Sequence, residues 1–418
     1  MSSDLSLAAG RLRTGADVEG ARVLKRSPVR VVVRIEDVFL KVFMDPRGQS
    51  GREARALLEA GRLAVPVPRL LDHGPGWLAT RWIEGRPAVR ADLAVILAVV
   101  NQMHGRGMLH RDLHLGNLIV GPSGLVVTDL QRSRFLRWLP GWARRRELGW
   151  LAYSLGEPLP DDLEEVRFWR NRRAQTHWRS RTRRCTVESG SFTRFHADGL
   201  HGFRARDCDL EELVRVFQKR GNAEVLKDRP GGRLLRSGPW VLKEHPSERA
   251  ARRSWINGHG LEVRGIRTGR GVAWAGHWLV MEDAGPTVTD WIESSFGSAG
   301  PEERTELAET LGGLLGDLHR RGIYHADLKA NNVAWVPGQG PRLLDYGMVR
   351  FRHRLSARRR TKNLAQLNAA LPDVVKGPLR EHAFRRYLEQ SEFRGNSERL
   401  RSKVIDLSLS RNHRWHGC

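Results

Sequence analysis

Residues 110–117 read HRDLHLGN, and residues 325–332 read HADLKANN. Each fits His-x-Asp-x-x-x-x-Asn. In each, a hydrophobic stretch and a further aspartate follow: Asp129 in VVTDLQR, 12 residues after Asn117, and Asp345 in RLLDYGM, 13 residues after Asn332. One such loop could arise by chance; two with the same sequel mark an internal repeat. The repeat reaches well beyond the loops. Residues 23–41, VLKRSPVRVVVRIEDVFLK, align without a gap with residues 225–243, VLKDRPGGRLLRSGPWVLK, at an offset of 202. WLATRW at 77–82 lies opposite WLVMED at 278–283, and the loops themselves are offset by 215. A repeat of this length is too long for a solenoid unit. The 418 residues suit two domains of about 200 each. The expected domains are 1–195 and 196–418, with the boundary inside the weakly patterned stretch 155–222.

The spacing is that of the catalytic loop of the protein-kinase fold, and the chemistry explains it. Asp112 and Asp327 would accept the proton of an attacking hydroxyl. Asn117 with Asp129, and Asn332 with Asp345, would hold the Mg²⁺ ions that bridge the nucleotide phosphates. The expected fold is therefore α+β: two tandem protein-kinase-like domains, each with a small β-rich N-lobe and a mainly helical C-lobe, with ATP between the lobes.

The remaining parts follow in order. VRVVVRI and DVFLKVF read as strands by their β-branched content. Lys41 closes the second and would reach the α- and β-phosphates. GREARALLEAGRL at 51–63 reads as a helix, with Glu53 placed to pair with Lys41. WLATRWIEG at 77–85 would be the hinge strand against adenine, and residues 91–107 an apolar helix. In the second half Lys243 is the strand lysine, but the position matching Glu53 is Ser254, and Glu248 comes too early in its helix. That leaves the second lysine without its carboxylate. Asp345-Tyr346-Gly347, in contrast, is nearer to the usual metal-loop form than Asp129-Leu130-Gln131. Neither half has a full glycine-rich phosphate loop: RSPVRVVVR has no glycine, and RPGGRLLR has only Gly231 and Gly232, a pair that also suits a plain β-turn. His110 and His325 would orient the loop backbone, and His104 and His319 would pack or hydrogen-bond at a helix end.

HRDLHLGNLIV followed by TDLQRSRF resembles the lipopolysaccharide core heptose kinases, and HADLKANNVAW followed by LLDYGMVRF resembles the related Kdo-kinase loop. Glu53-x11-Val65-x-Val67-Pro68 and SWINGHGLEVRGIRT are similar to that family as well. The resemblance covers about residues 20–155 and 220–390. It implies ATP- and Mg²⁺-dependent phosphorylation of a sugar hydroxyl on a lipopolysaccharide inner core or a related cell-envelope glycolipid, at the cytoplasmic face of the inner membrane. By carry-over Asp112 and Asp327 are the bases, Asn117, Asp129, Asn332 and Asp345 the metal ligands, and Lys41 and Lys243 the ATP contacts. Protein or small-molecule phosphorylation, and a scaffold with one or both halves inactive, are the alternatives; the missing glycines and Ser254 speak for the scaffold, and the retained metal ligands against it.

Composition bears on the partner. The net charge is +24, and with nine lysines 62 of the 71 basic residues are arginine. Arginine suits planar, bidentate binding of phosphate and carboxylate, and also fits a GC-rich genome. One cluster follows Asp129 (Arg132, Arg134, Arg137, Arg144, Arg145, Arg146), and another follows Asp345 (Arg350, Arg352, Arg354, Arg358, Arg359, Arg360). Both fall where a kinase places its substrate-facing segment, so an anionic glycolipid substrate and peripheral contact with an anionic membrane are expected. A third cluster runs from Arg167 to Arg184 with Trp169 and Trp178 interleaved. Nucleic acid is an unfavoured partner, since no zinc-finger spacing, RNP motif or helix-turn-helix is present. Cys185, Cys208 and Cys418 show neither metal spacing nor a disulfide framework, as expected in a reducing cytoplasm. LAVILAVV at 93–100 is far short of the ~20 residues a bilayer-spanning helix needs, and MSSDLSLAAGRLR lacks a signal-peptide core.

Overall fold

The computed structural model describes residues 2–45, 49–156, 159 and 163–410; Cys418 and most of the 157–162 stretch lie outside the described residues. The chain divides into two compact units, Met1–Thr176 and His177–Cys418, and the division falls within the helix Glu164–Thr182.

In the first unit the β-branched runs form a five-stranded antiparallel sheet. Its order is Ala21–Ser27, Arg30–Ile35, Val38–Phe43, Trp77–Arg81, Leu70–Gly74. Alternation along the strands sends Val31, Val33, Leu40 and Val42 to one face. The helix Ser2–Arg13 covers that face with Leu5, Ala8, Ala9 and Leu12. On the other face the helix Gln49–Arg62 buries Glu53, Ala54, Leu57 and Ala60. A second cluster, built on Ile96, Val100 and Met103 of the helix Leu93–Gly105, underlies the catalytic loop through Leu113 and Leu118.

The second unit repeats the strand order: Glu224–Arg229, Gly232–Ser237, Trp240–Glu244, Trp278–Glu282, Gly271–Ala275. The register is conserved to the residue at the lysine strand. Lys41 pairs with Val32 and Leu78, and Lys243 pairs with Leu234 and Leu279. This sheet is extended by a hairpin, Phe192–Ala197 with Leu200–Ala205. The helix Leu210–Gln218, N-capped by Asp209 accepting from the Glu212 N–H, covers its outer face with Leu213, Val216 and Phe217. The hairpin of Gly231 and Gly232 explains both glycines: each has positive φ, and a Cβ on Gly232 would sit 2.2 Å from the Glu244 carbonyl oxygen.

Below this sheet the helix Pro301–Arg320 carries His319 into the core, where Nδ1 meets the Tyr387 hydroxyl at 3.0 Å and Nε2 meets Asn363 Oδ1 at 3.3 Å. Burial, then the nearby charge of Arg360, pushes its pKa from near 6.5 down to about 3. The folded chain therefore keeps this ring neutral where the unfolded chain protonates it. Stability contributed by the neutral ring is complete above pH 6.5. It falls between pH 6.5 and 3 by up to about 1.4 kcal/mol per pH unit. His319→Gln is expected to flatten the loss of second-unit stability between pH 7 and pH 5, read by hydrogen exchange of the helix Pro301–Arg320 under urea. Wild type and variant losing equal stability over that interval would remove His319 as the source.

Candidate active sites

In the first unit three elements deliver one charge cluster. Lys41 Nζ lies 2.8 Å from Glu53 Oε2 and 2.7 Å from Asp129 Oδ1. Lys41 and Glu53 are 4% and 5% exposed. Burial raises the Glu53 pKa against the opposing pull of Lys41. Burial works the same way on Asp129, but there the charge and hydrogen bond of Lys41 prevail and hold the carboxyl below its usual range. The strand lysine, the helix glutamate and the metal-loop aspartate are thus joined, although they are 12 and 88 residues from Lys41 along the chain. At the place of a glycine loop, the tight turn Pro28-Val29 delivers Arg30, whose guanidinium is 4.0 Å from Asp129.

The second unit keeps half of that arrangement. Lys243 Nζ lies 2.5 Å from Asp345 Oδ1, and Asp345 is likewise held low by Lys243 in spite of burial. No carboxylate of the helix Glu248–Val263 meets the lysine among the described residues. Ser254 is buried there. A Cβ on Gly347 would be 3.8 Å from Ser254 Oγ and 4.0 Å from His245 Cε1, so serine and histidine occupy the space beside Asp345. His245 follows directly on the strand Trp240–Glu244, two residues beyond Lys243, where the first unit has Phe43. Burial, then Lys243, pushes the His245 pKa down to about 4. The helix is tied to the metal loop by other means. Asn257 Nδ2 donates to the Tyr346 and Val349 carbonyls at 2.9 and 3.1 Å, and the buried Tyr346 hydroxyl donates to the Gly269 carbonyl. Gly258 gives room for that ring, since a Cβ there would come within 2.8 Å of it.

Both catalytic loops are fixed by their histidines. Nδ1 of His110 accepts from the Asp112 N–H at 3.3 Å, so Nε2 donates to the Thr128 carbonyl at 2.8 Å. His325 does the same, accepting from the Asp327 N–H at 3.3 Å and donating to the Asp345 carbonyl at 3.0 Å. Behind each loop stands a group that carries no motif. Glu147, fully buried, takes the His104 ring at 3.0 Å and the Arg111 N–H, which holds Arg111 at φ 63°. In the second unit Asn363 bonds the His325 N–H and carbonyl, and Gln366 donates to the Ala326 carbonyl at 2.7 Å.

Asp112 and Asp327 differ in their neighbours. Asp327 Oδ1 is 2.9 Å from Lys329. Asp112 meets Arg173 at 3.2 Å and Arg132 at 3.9 Å. Arg173 belongs to the third arginine cluster and to the helix Glu164–Thr182, and nothing in its local sequence marks it for this contact. Of the cluster after Asp345, Arg360 is structural: it donates to the Tyr387 hydroxyl at 3.2 Å and lies over Phe393.

The donor set fits a hard divalent ion. Asn117 Nδ2 donates to the Asp112 carbonyl at 3.0 Å and Asn332 Nδ2 to the Asp327 carbonyl at 2.8 Å. Each amide nitrogen is thereby committed, which leaves Oδ1 as the atom that could face an ion. With Asp129 or Asp345 this makes an all-oxygen pair of the kind magnesium takes when substrate phosphates and water complete its shell. No group of three or more His, Cys, Asp or Glu side chains gathers among the described residues.

Residues 276–384 match the model of the lipopolysaccharide kinase (Kdo/WaaP) family. A "Probable bifunctional tRNA threonylcarbamoyladenosine biosynthesis protein" of Methanosarcina acetivorans is 28% identical over 121 residues, which are 28% of this chain. The match spans about a fifth of that relative's length, 22%. Among solved structures, WaaP in complex with acyl carrier protein is 22% identical with a TM-score of 0.36, covering 47% of this chain and 90% of that one. A choline/ethanolamine kinase family protein from Mesorhizobium loti is 16% identical with a TM-score of 0.31, covering 41% and 80%. Both units place an antiparallel sheet, five-stranded in the first and extended to seven strands in the second, ahead of a His-x-Asp-x-x-x-x-Asn loop and helices. The match to the lipopolysaccharide kinase (Kdo/WaaP) family is confined to residues 276–384, within the second unit.

Proposed function

We propose that the chain is an ATP-dependent kinase that phosphorylates a sugar hydroxyl of the lipopolysaccharide inner core or a related cell-envelope glycolipid, from two tandem kinase-like domains. The observation that carries this reading is the convergence, in each unit, of strand lysine, metal-loop aspartate and a His-ordered catalytic loop, with the family segment in the second unit. Lys41 and Lys243 would hold the α- and β-phosphates. Asp112 and Asp327 would orient the sugar hydroxyl in line with the γ-phosphate and take its proton as the bond to phosphorus forms and ADP leaves. Mg²⁺ held by Asn117 and Asp129, or by Asn332 and Asp345, would supply charge neutralisation of the phosphates when bound. Positioning and electrostatics provide most of the rate in such transfer. No helix among the described residues is long and apolar enough to cross a membrane. On this reading the arginine clusters would hold the chain at the cytoplasmic face of the inner membrane, each basic side chain contributing about 1 kcal/mol near anionic lipid.

The test is γ-phosphate transfer from ATP·Mg²⁺ to purified core glycolipid, with casein as a parallel acceptor. Labelled glycolipid and unlabelled casein are the expected pattern. Labelled casein and unlabelled glycolipid would assign a protein acceptor instead.

A further inference from the structure

The arginines around Asp112 do more than neutralise it. Arg132 and Arg173 reach its carboxylate. Arg111, partly desolvated, is pushed below its usual pKa by burial and then by the charges of Arg134, Arg146 and Arg132. Five guanidiniums thus gather with two carboxylates, and the second, Glu147, is committed to His104 and the Arg111 backbone. The surplus is pre-set in position. The Arg146 guanidinium lies over both Trp142 and Trp150, at 5.3 and 5.4 Å from the ring centres, and Arg173 lies over Trp150 at 4.5 Å. Stacking fixes a guanidinium plane while leaving its N–H edge for an anion. Among the described residues Arg146 has no acidic partner, and its buried Nε has no hydrogen-bond partner. Among the described residues Asp327 is paired with Lys329 and no guanidinium reaches its carboxylate.

We propose that Arg132, Arg146 and Arg173 form the anion subsite of the first unit's acceptor, so that this unit takes a sugar already bearing a phosphate or carboxylate and presents its free hydroxyl to Asp112. The inference rests on the sugar-kinase reading above and deepens it by assigning an acceptor class to one unit. The sequence motifs do not contain the subsite, because Arg173 comes from a helix about 60 residues beyond the loop and Arg146 is ordered by tryptophans one helical turn to either side of it.

The site is tested on the full chain with both nucleotide sites filled by ADP·Mg²⁺, using glucose 6-phosphate and glucose as calorimetric probes at low salt, where such contacts are least screened. Glucose 6-phosphate is expected to bind and glucose to show no heat. Arg173→Gln is expected to weaken the phosphate probe at least about ten-fold, as loss of a charge-assisted bond does. Arg173→Lys, which keeps the charge and loses the fork, is expected to fall between, and Arg350→Gln in the second unit to bind as wild type. Far-UV circular dichroism checks that each variant is folded. Equal binding of the two sugars, or an Arg173→Gln variant that binds glucose 6-phosphate as wild type does, would overturn the proposal. Flotation with phosphatidylglycerol vesicles separates the sources of phosphate: vesicle retention unchanged in Arg173→Gln supports a sugar-borne anion, and loss of vesicles with intact sugar-phosphate binding assigns the patch to lipid headgroups and overturns it. Because this binding needs no turnover, a chain that binds the probe but transfers no phosphate would refute the kinase reading and leave the subsite standing.

Discussion

Asp327→Asn is expected to lower the second unit's transfer rate by roughly 10²–10⁴-fold, the range that loss of a positioned base produces, with nucleotide affinity close to wild type. The loop geometry is the reason. The Asp327 backbone N–H is bonded to His325, its carbonyl is bonded to Asn332, and the loop behind it is tied to Asn363 and Gln366. None of those bonds uses the carboxylate, so its replacement by an amide removes proton acceptance and leaves the loop in place. Lys329 at 2.9 Å then loses its only contact to that carboxylate, a half-exposed pair whose loss has little weight in stability. Single-turnover rates with ATP in excess, compared with ADP affinity by calorimetry, check this. A rate near wild type would mean that Asp327 is not the base.

The strand lysines should behave differently from one another when removed. Lys41→Ala leaves Glu53, 5% exposed, without a partner, and breaking a buried pair on one side costs about 3–5 kcal/mol. Hydrogen exchange in the strand Val38–Phe43 and the helix Gln49–Arg62 should speed up accordingly. Lys243→Ala strands no buried glutamate, because Ser254 stands at the helix position and Asp345 is partly exposed. Its exchange protection should change far less, while nucleotide binding in that unit is lost. Equal destabilisation by the two substitutions would contradict the asymmetry. Glu53→Gln in the Lys41→Ala background should recover most of the lost protection, since a neutral amide is far less costly to bury than an unpaired carboxylate.

These contrasts show which parts of the site a sequence can display. The loops, the strand lysines and the aspartates that follow are legible because each depends on fixed local spacing: Asp to Asn within one turn of chain, then a short strand, then Asp in the left-handed backbone that both Asp129 and Asp345 adopt. The Ser254 substitution was also visible, since the repeat supplies its own alignment. Glu147, Asn363, Gln366 and Arg173 were not visible. Each acts across 36 to 61 residues of chain, and each sits in a helix whose local pattern reads as ordinary packing or a solvated face. The helix Ser2–Arg13 is hidden for a similar reason, because its four apolar contacts make sense only against a sheet formed later in the chain. The hairpin Phe192–Ala197 and Leu200–Ala205 lies in the stretch where neither period nor motif gave a lead.

The most direct test of the whole account is γ-phosphate transfer from ATP·Mg²⁺ to core glycolipid by wild type, Asp112→Asn, Asp327→Asn and the double variant, measured at one protein concentration. The account predicts that the double variant falls to the level of a no-enzyme blank while still binding ADP. A double variant that still labels the glycolipid well above the blank would show that the two loops do not perform the chemistry.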